Sequence, residues 1–133
     1  MVELELSKLI IDEDKKEQIV VLKEKRGTRL MPIVIGMNEA SAIKMKLSGF
    51  KPPRPLTHDL IPAILGDLGI RLEKVVIDNL IEGTFHAKLH LSHNGNLAKI
   101  VDARPSDSIA LAVRMQSPIF VEDKVLEKLA QSS

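Results

Sequence analysis

Four carboxylates, two arginines and a histidine stand at or beside the expected starts of three helices. They are Glu39; Arg54, His58 and Asp59; and Asp102, Arg104 and Asp107, with Ser106 inside the last group. Carboxylates hold Mg²⁺ or Mn²⁺, and such a metal activates water and shields phosphate charge. A histidine titrates near neutrality and suits proton transfer. A helix start adds unpaired amides and about half a positive charge, which attract an anion. With Arg104 beside it, phosphate is the natural ligand, and phosphodiester hydrolysis is the chemistry that needs this whole set.

Each residue also has an architectural reading. An acid in a first helical turn stabilises the helix by a few tenths to about 1 kcal/mol without any further role. Asp107, at the third position after Arg104, can fold back on the cap, and Glu39 allows the same reading. If Asp59 is itself a cap, Pro62 falls at the third helical position, where its missing N–H costs nothing. His86 and His90 fall on one strand face, a slight metal signal, and His93 decorates the same hairpin. The chain has no GxxxxGK[ST], HExxH, GxSxG or GxGxxG pattern. With no cysteine, it has no disulfide scaffold, thiolate metal site or thiol nucleophile.

The elements that must position these groups can be read from period and punctuation. Apolar residues over 2–11 and 19–22, split by Asp12-Glu13-Asp14-Lys15-Lys16, predict two strands and a charged hairpin. A third strand at 30–35 ends at Gly36, and a helix follows from Met37 to about Ser48 with Ala40, Ile43 and Leu47 on one face. Gly49 closes it, and Lys51-Pro52-Pro53-Arg54-Pro55 is a stiff connector. The next helix runs to about Leu68, burying Leu60, Ile61, Ile64, Leu65 and Leu68, with Gly69 just beyond its end. Strands at 72–80, 84–91 and 97–103 follow, turning at Glu82-Gly83 and Asn94-Gly95. A helix from Pro105 to Met115 is apolar nearly all round at Ile109-Ala110-Leu111-Ala112-Val113, so it belongs in the domain centre. A short strand at 119–121 and a helix ending near Ala130 complete the chain.

The two halves share this order. An offset of 68 aligns Gly27 with Gly95, Glu39 with Asp107 and Ala42 with Ala110; an offset of 66 aligns Lys8 with Lys74 and Asp12 with Asp78. The expectation is one α+β domain spanning 1–133. Its mixed or antiparallel sheet would come from duplication of a three-strand, two-helix unit, with pseudo-repeats at 2–68 and 72–131.

Composition narrows the function classes. With 133 residues, 44% hydrophobic and 28% charged, the chain can build one core. No run approaches a membrane span, and the acid–apolar alternation of Met1 to Leu6 lacks a signal peptide's basic start, so a cytoplasmic protein is expected. Net charge is +1, with 11 basic and 8 acidic residues up to Arg54, which permits a basic face in the first half. Trp and Tyr are absent and Phe occurs three times, so nucleic-acid contacts would lean on phosphates rather than on stacked bases. Homo-oligomers are common among such domains, but no interface can be read here.

The blocks Met31-Pro32-Ile33-Val34-Ile35-Gly36, Glu39-Ala40, Pro53-Arg54-Pro55-Leu56-Thr57-His58-Asp59-Leu60, Asp102-Ala103-Arg104-Pro105-Ser106-Asp107-Ser108-Ile109-Ala110-Leu111-Ala112 and Ser117-Pro118-Ile119-Phe120-Val121 resemble the bifunctional nuclease domain family. The resemblance runs in order along essentially the whole chain. It implies a mixed α+β domain that cleaves both DNA and RNA; from the residues themselves we expect metal-assisted phosphodiester hydrolysis without strong sequence preference. The matched blocks put Glu39, Arg54, His58, Asp59, Asp102, Arg104 and Asp107 forward as site positions. We read Asp102, Asp107 and Glu39 as ligands of Mg²⁺ or Mn²⁺, and Arg54, Arg104 and Ser106 as substrate contacts. His58 and Asp59 are read as an acid–base pair, acting with Asp102, Arg104 and Asp107 in catalysis. The rival is a non-enzymatic module whose pocket holds a phosphate-bearing ligand or serves a protein partner.

Overall fold

In the computed structural model, which describes residues 1–131, the first half is an antiparallel meander leading into two helices. Strand β1 (Val2–Ile10) pairs with β2 (Glu17–Glu24), and the register slips once between Leu6 and Lys8. Strand β3 (Leu30–Gly36) pairs with β2, burying Met31, Ile33 and Ile35 while Leu30, Pro32 and Val34 face out. Pro32 is tolerated because β3 is a sheet edge, where a missing N–H breaks no ladder. Helix α1 (Met37–Ser48) starts directly at Gly36 and ends at Gly49, whose φ of 75° is left-handed. After the proline connector comes α2 (Thr57–Asp67).

The second half repeats the meander with β4 (Ile70–Ile81), β5 (Thr84–His93) and β6 (Asn96–Ala103). Both of its turns carry two residues at positive φ: Glu82 and Gly83 at 49° and 79°, Asn94 and Gly95 at 54° and 81°. That is what a two-residue turn needs to match the strand twist. Helix α3 (Pro105–Met115), strand β7 (Ile119–Val121) and helix α4 (Asp123–Gln131) follow.

Among the described residues seven strands form one mixed sheet in the order β3-β2-β1-β7-β4-β5-β6, so the fold is α+β. The short β7 joins the two meanders, antiparallel to β1 and parallel to β4. The predominantly apolar α3 touches α1, α2, β3, β4 and β5 together, so the sheet curls around it. Its residues Ile109, Ala110, Leu111 and Ala112 are no more than 2% exposed. Truncating Ile109 to Ala would cost about 2–5 kcal/mol on that ground.

Several expectations for the first two helices are corrected. Leu47 does not share the burial of Ala40 and Ile43, being 60% exposed; on α2 Leu60 and Ile64 are 51% and 49% exposed, and Leu68, just past its end, is 62% exposed. Only Ile61 and Leu65 of that helix join the core. A helix apolar on most sides gives no signal of which stripe its neighbours cover, and here α3 and β4 cover one. Helix α2 begins at Thr57, with Leu56 at the cap position and Asp59 at the third helical place. Asp59 accepts the Leu56 N–H at 2.9 Å. Pro62 therefore lies inside the helix and removes the amide that would bond the His58 carbonyl.

Candidate active site

The site is assembled where two strands run straight into helices. Strand β3 ends in Gly36 and β6 in Ala103, and α1 and α3 begin within two residues of them. A helix whose first residue is proline needs no donor there, and the extended Arg104 makes the junction with φ −67° and ψ 146°. This places Glu39 and Asp107 at the third positions of adjacent helices. Glu39 is buried, 7% exposed, and leans over Gly36, where an added Cβ would lie 2.6 Å from Oε2. Glycine at 36 is thus what leaves room for this carboxylate.

One guanidinium ties the two junctions together. Arg104 donates from Nε to Asp107 Oδ2 at 2.9 Å and from a terminal nitrogen to Glu39 Oε1 at 2.9 Å. Hydrogen bonding and charge attraction from Asp107, then from Glu39, raise the Arg104 pKa above its already high ordinary value. The side chain is nevertheless 71% exposed, so its charge faces solvent. Asp107 does not fold back on its own cap; its other oxygen, Oδ1, lies 3.0 Å from His58 Nε2. The carboxylate accepts there, so Nε2 carries the hydrogen, and in the neutral ring Nδ1 bears the lone pair. Nδ1 has no hydrogen-bond partner among the described residues. His58 is 7% exposed. The group lines a cavity of about 520 Å³ with Ser41, Met45 and Leu56.

The other expected residues lie apart from this group. Asp59 faces Arg114, not His58, and forms an ion pair with it. Arg114 also donates to the Ala42 carbonyl at 2.9 Å, so it joins α3 to both preceding helices. Asp102 is on β6 and reaches Lys88 at 3.3 Å. Lys88 also binds Asp78 at 3.2 Å, and those two carboxylates, Asp78 first, raise its pKa. Ser106, 8% exposed, lines a second cavity of about 600 Å³ with Asp102, Arg104 and His86, so Arg104 borders both cavities. Arg54 is exposed on the connector and makes no ion pair among the described residues. His86 and His90 share one face of β5, but among the described residues no three donors converge as a metal site.

Sequence reasoning missed Arg114 and Lys88. An arginine directly after the apolar run Ile109–Val113 was the available signal for Arg114, since a cation held near the core demands a partner. Lys88 sits in an alternating strand and carried no comparable mark.

An uncharacterized protein of Mycobacterium tuberculosis is 45% identical over 116 residues, covering 87% of this chain and 68% of that protein. Bifunctional nuclease 1 of Arabidopsis thaliana is 30% identical over 105 residues, covering 77% of this chain and 32% of its own length. Bifunctional nuclease 1 of Oryza sativa subsp. japonica is 26% identical over 109 residues, covering 80% and 33%. The chain thus spans about a third of the plant proteins. Residues 20–133, which include both strand–helix junctions and His58, match the bifunctional nuclease domain, and the chain belongs to that family.

Proposed function

We propose that the chain hydrolyses phosphodiester bonds of DNA and RNA at the Glu39–Arg104–Asp107–His58 cleft. The observation that carries the reading is the His58–Asp107 pair, 3.0 Å apart, beside an arginine that is charged and open to solvent. Asp107 fixes the histidine tautomer, leaving Nδ1 to take the proton from an attacking water. Arg104, whose Nε and one terminal nitrogen are held by two carboxylates, offers its other terminal nitrogen to the phosphate and stabilises charge gained in the transition state. These groups address phosphate and carry no base-specific contact, which fits cleavage without strong sequence preference.

Mg²⁺ or Mn²⁺ is compatible with the donors present. Glu39 Oε1 and Asp107 Oδ2 each lie 2.9 Å from the Arg104 guanidinium, so both carboxylates already face a shared cation. Mg²⁺ ordinarily needs only one or two carboxylates together with substrate phosphates. These two residues would hold it only by giving up Arg104, and the ion would then supply an acidified water and charge neutralisation. Asp102, paired with Lys88, stands outside this donor pair.

The second reading, a non-enzymatic module holding a phosphate ligand or a protein partner, draws on the local charge balance. Glu39 and Asp107 together offset the single charge of Arg104, which weakens a purely electrostatic claim on substrate. Hydrolysis of labelled single- and double-stranded DNA and RNA, with Mg²⁺, Mn²⁺ or EDTA, separates the readings. Loss of general-base catalysis typically costs about 10²- to 10⁴-fold in rate, so His58→Ala and Asp107→Asn should lose that much while Asp102→Ala cleaves nearly as the parent. Equal cleavage by the parent and His58→Ala would dismiss the proposed base. Ligand binding without turnover in the parent would favour the module.

A further inference from the structure

We infer that the groove beside the site, between α1 and the proline connector, is a subsite for one base of a single nucleic-acid strand and its flanking phosphates. This deepens the nuclease reading and rests on it. The groove encloses about 500 Å³ and shares Met45 with the cleft that holds His58. Its walls are apolar and flat: Phe50, Pro52, Pro53 and Pro55, with Lys46 and Lys51 among its lining residues. Phe50 is 57% exposed although its backbone is pinned, its N–H bonding the Met45 carbonyl at 3.0 Å. Proline fixes the connector's φ angles, so the groove exists before any ligand arrives.

Charge decides the occupant. In the first half, Lys23, Lys25 and Arg29 are taken up by Glu5, Glu3 and Glu24. Lys46, Lys51 and the nearby Arg54, all exposed, have no ion-pair partner among the described residues. Asp59 and Arg114 also line the groove but neutralise each other. The unbalanced charge is therefore positive and surrounds an exposed ring, the combination that holds a strand by stacking one base and tracking its phosphates. A duplex keeps its bases stacked on each other and cannot offer one to the ring, so the strand is single.

The test is fluorescence anisotropy with a short labelled single-stranded oligonucleotide and the matching duplex. The His58→Ala background prevents cleavage during the titration, and cleavage is measured separately in the His58 parent. Phe50→Ala should weaken single-strand binding about tenfold or more, the scale of a lost base stack, and Phe50→Trp should restore it. Duplex binding and the melting temperature should stay put, because the ring is exposed. Lys46→Glu with Lys51→Glu should weaken binding and flatten its salt dependence. Unchanged single-strand binding in all these variants, with cleavage intact in the parent, would overturn the groove and leave the nuclease reading standing. Equal competition by poly-glutamate would assign the groove to an acidic peptide instead. No binding and no cleavage by the parent would remove both proposals.

Discussion

Removing the Arg104 side chain leaves Glu39 as a buried carboxylate stripped of its cation, and the cost can be worked from the geometry. The Arg104→Ala change deletes a 2.9 Å charge-assisted bond to a residue only 7% exposed. Breaking a fully buried pair costs about 3–5 kcal/mol, and an exposed pair contributes about 0.2–1 kcal/mol. Here one partner is buried and the other is 71% exposed, so an intermediate cost of about 2 kcal/mol is expected. For a domain of this size that corresponds to a drop of roughly 6–10 °C in melting temperature. The decisive arm is Glu39→Gln in the Arg104→Ala background. A neutral amide costs less to bury than a lone carboxylate, so the double variant should recover about 1 kcal/mol. Differential scanning calorimetry on the parent and three variants closes the cycle. A melting temperature for Arg104→Ala within the ordinary surface range of about 0.5 kcal/mol, or a double variant less stable than either single one, would refute this account of Glu39.

Three further outcomes follow from other parts of the molecule. Arg114→Ala should destabilise by about 2–4 kcal/mol in chemical denaturation, because Asp59 and the Ala42 carbonyl both lose their donor. Burial, then Lys74, lowers the His90 pKa below the usual 6.5. The unfolded chain therefore takes the proton first, and stability is lost as pH falls through 6.5 toward the folded value. Urea midpoints at neutral and mildly acid pH should show that loss in the parent and less of it in His90→Gln. On α2, Ile64→Lys should stay within about 0.5 kcal/mol of the parent, whereas Ile61→Lys, which puts a charge into partly buried packing, should unfold at clearly lower urea.

The elements were legible because each is written in local terms. Residues that tolerate positive φ stand at Gly83 and Asn94-Gly95, glycine ends α1, proline opens α3, and the strand and helix limits fall within a few residues of where the pattern places them. The burial of α3 was equally plain, since an apolar surface on every side has no stable place but the interior. The faces of α2 were not legible, because its apolar residues point several ways and only its packing neighbours choose among them.

The sequence determined which groups are available for chemistry: the strand–helix junctions and the acids at the third positions of their helices. The tertiary structure decided the partnerships. His58 and Asp59 are chain neighbours, but consecutive helical residues point roughly 100° apart, so His58 turns to Asp107, 49 residues away, and Asp59 to Arg114. Asp102 and Asp107 lie close in the chain too, yet strand alternation turns Asp102 to the sheet face that carries Lys88, while Ala103 lies opposite the buried Ala87. That choice of face depends on register, and register is settled by which strands meet across the sheet, a long-range property that local spacing does not encode.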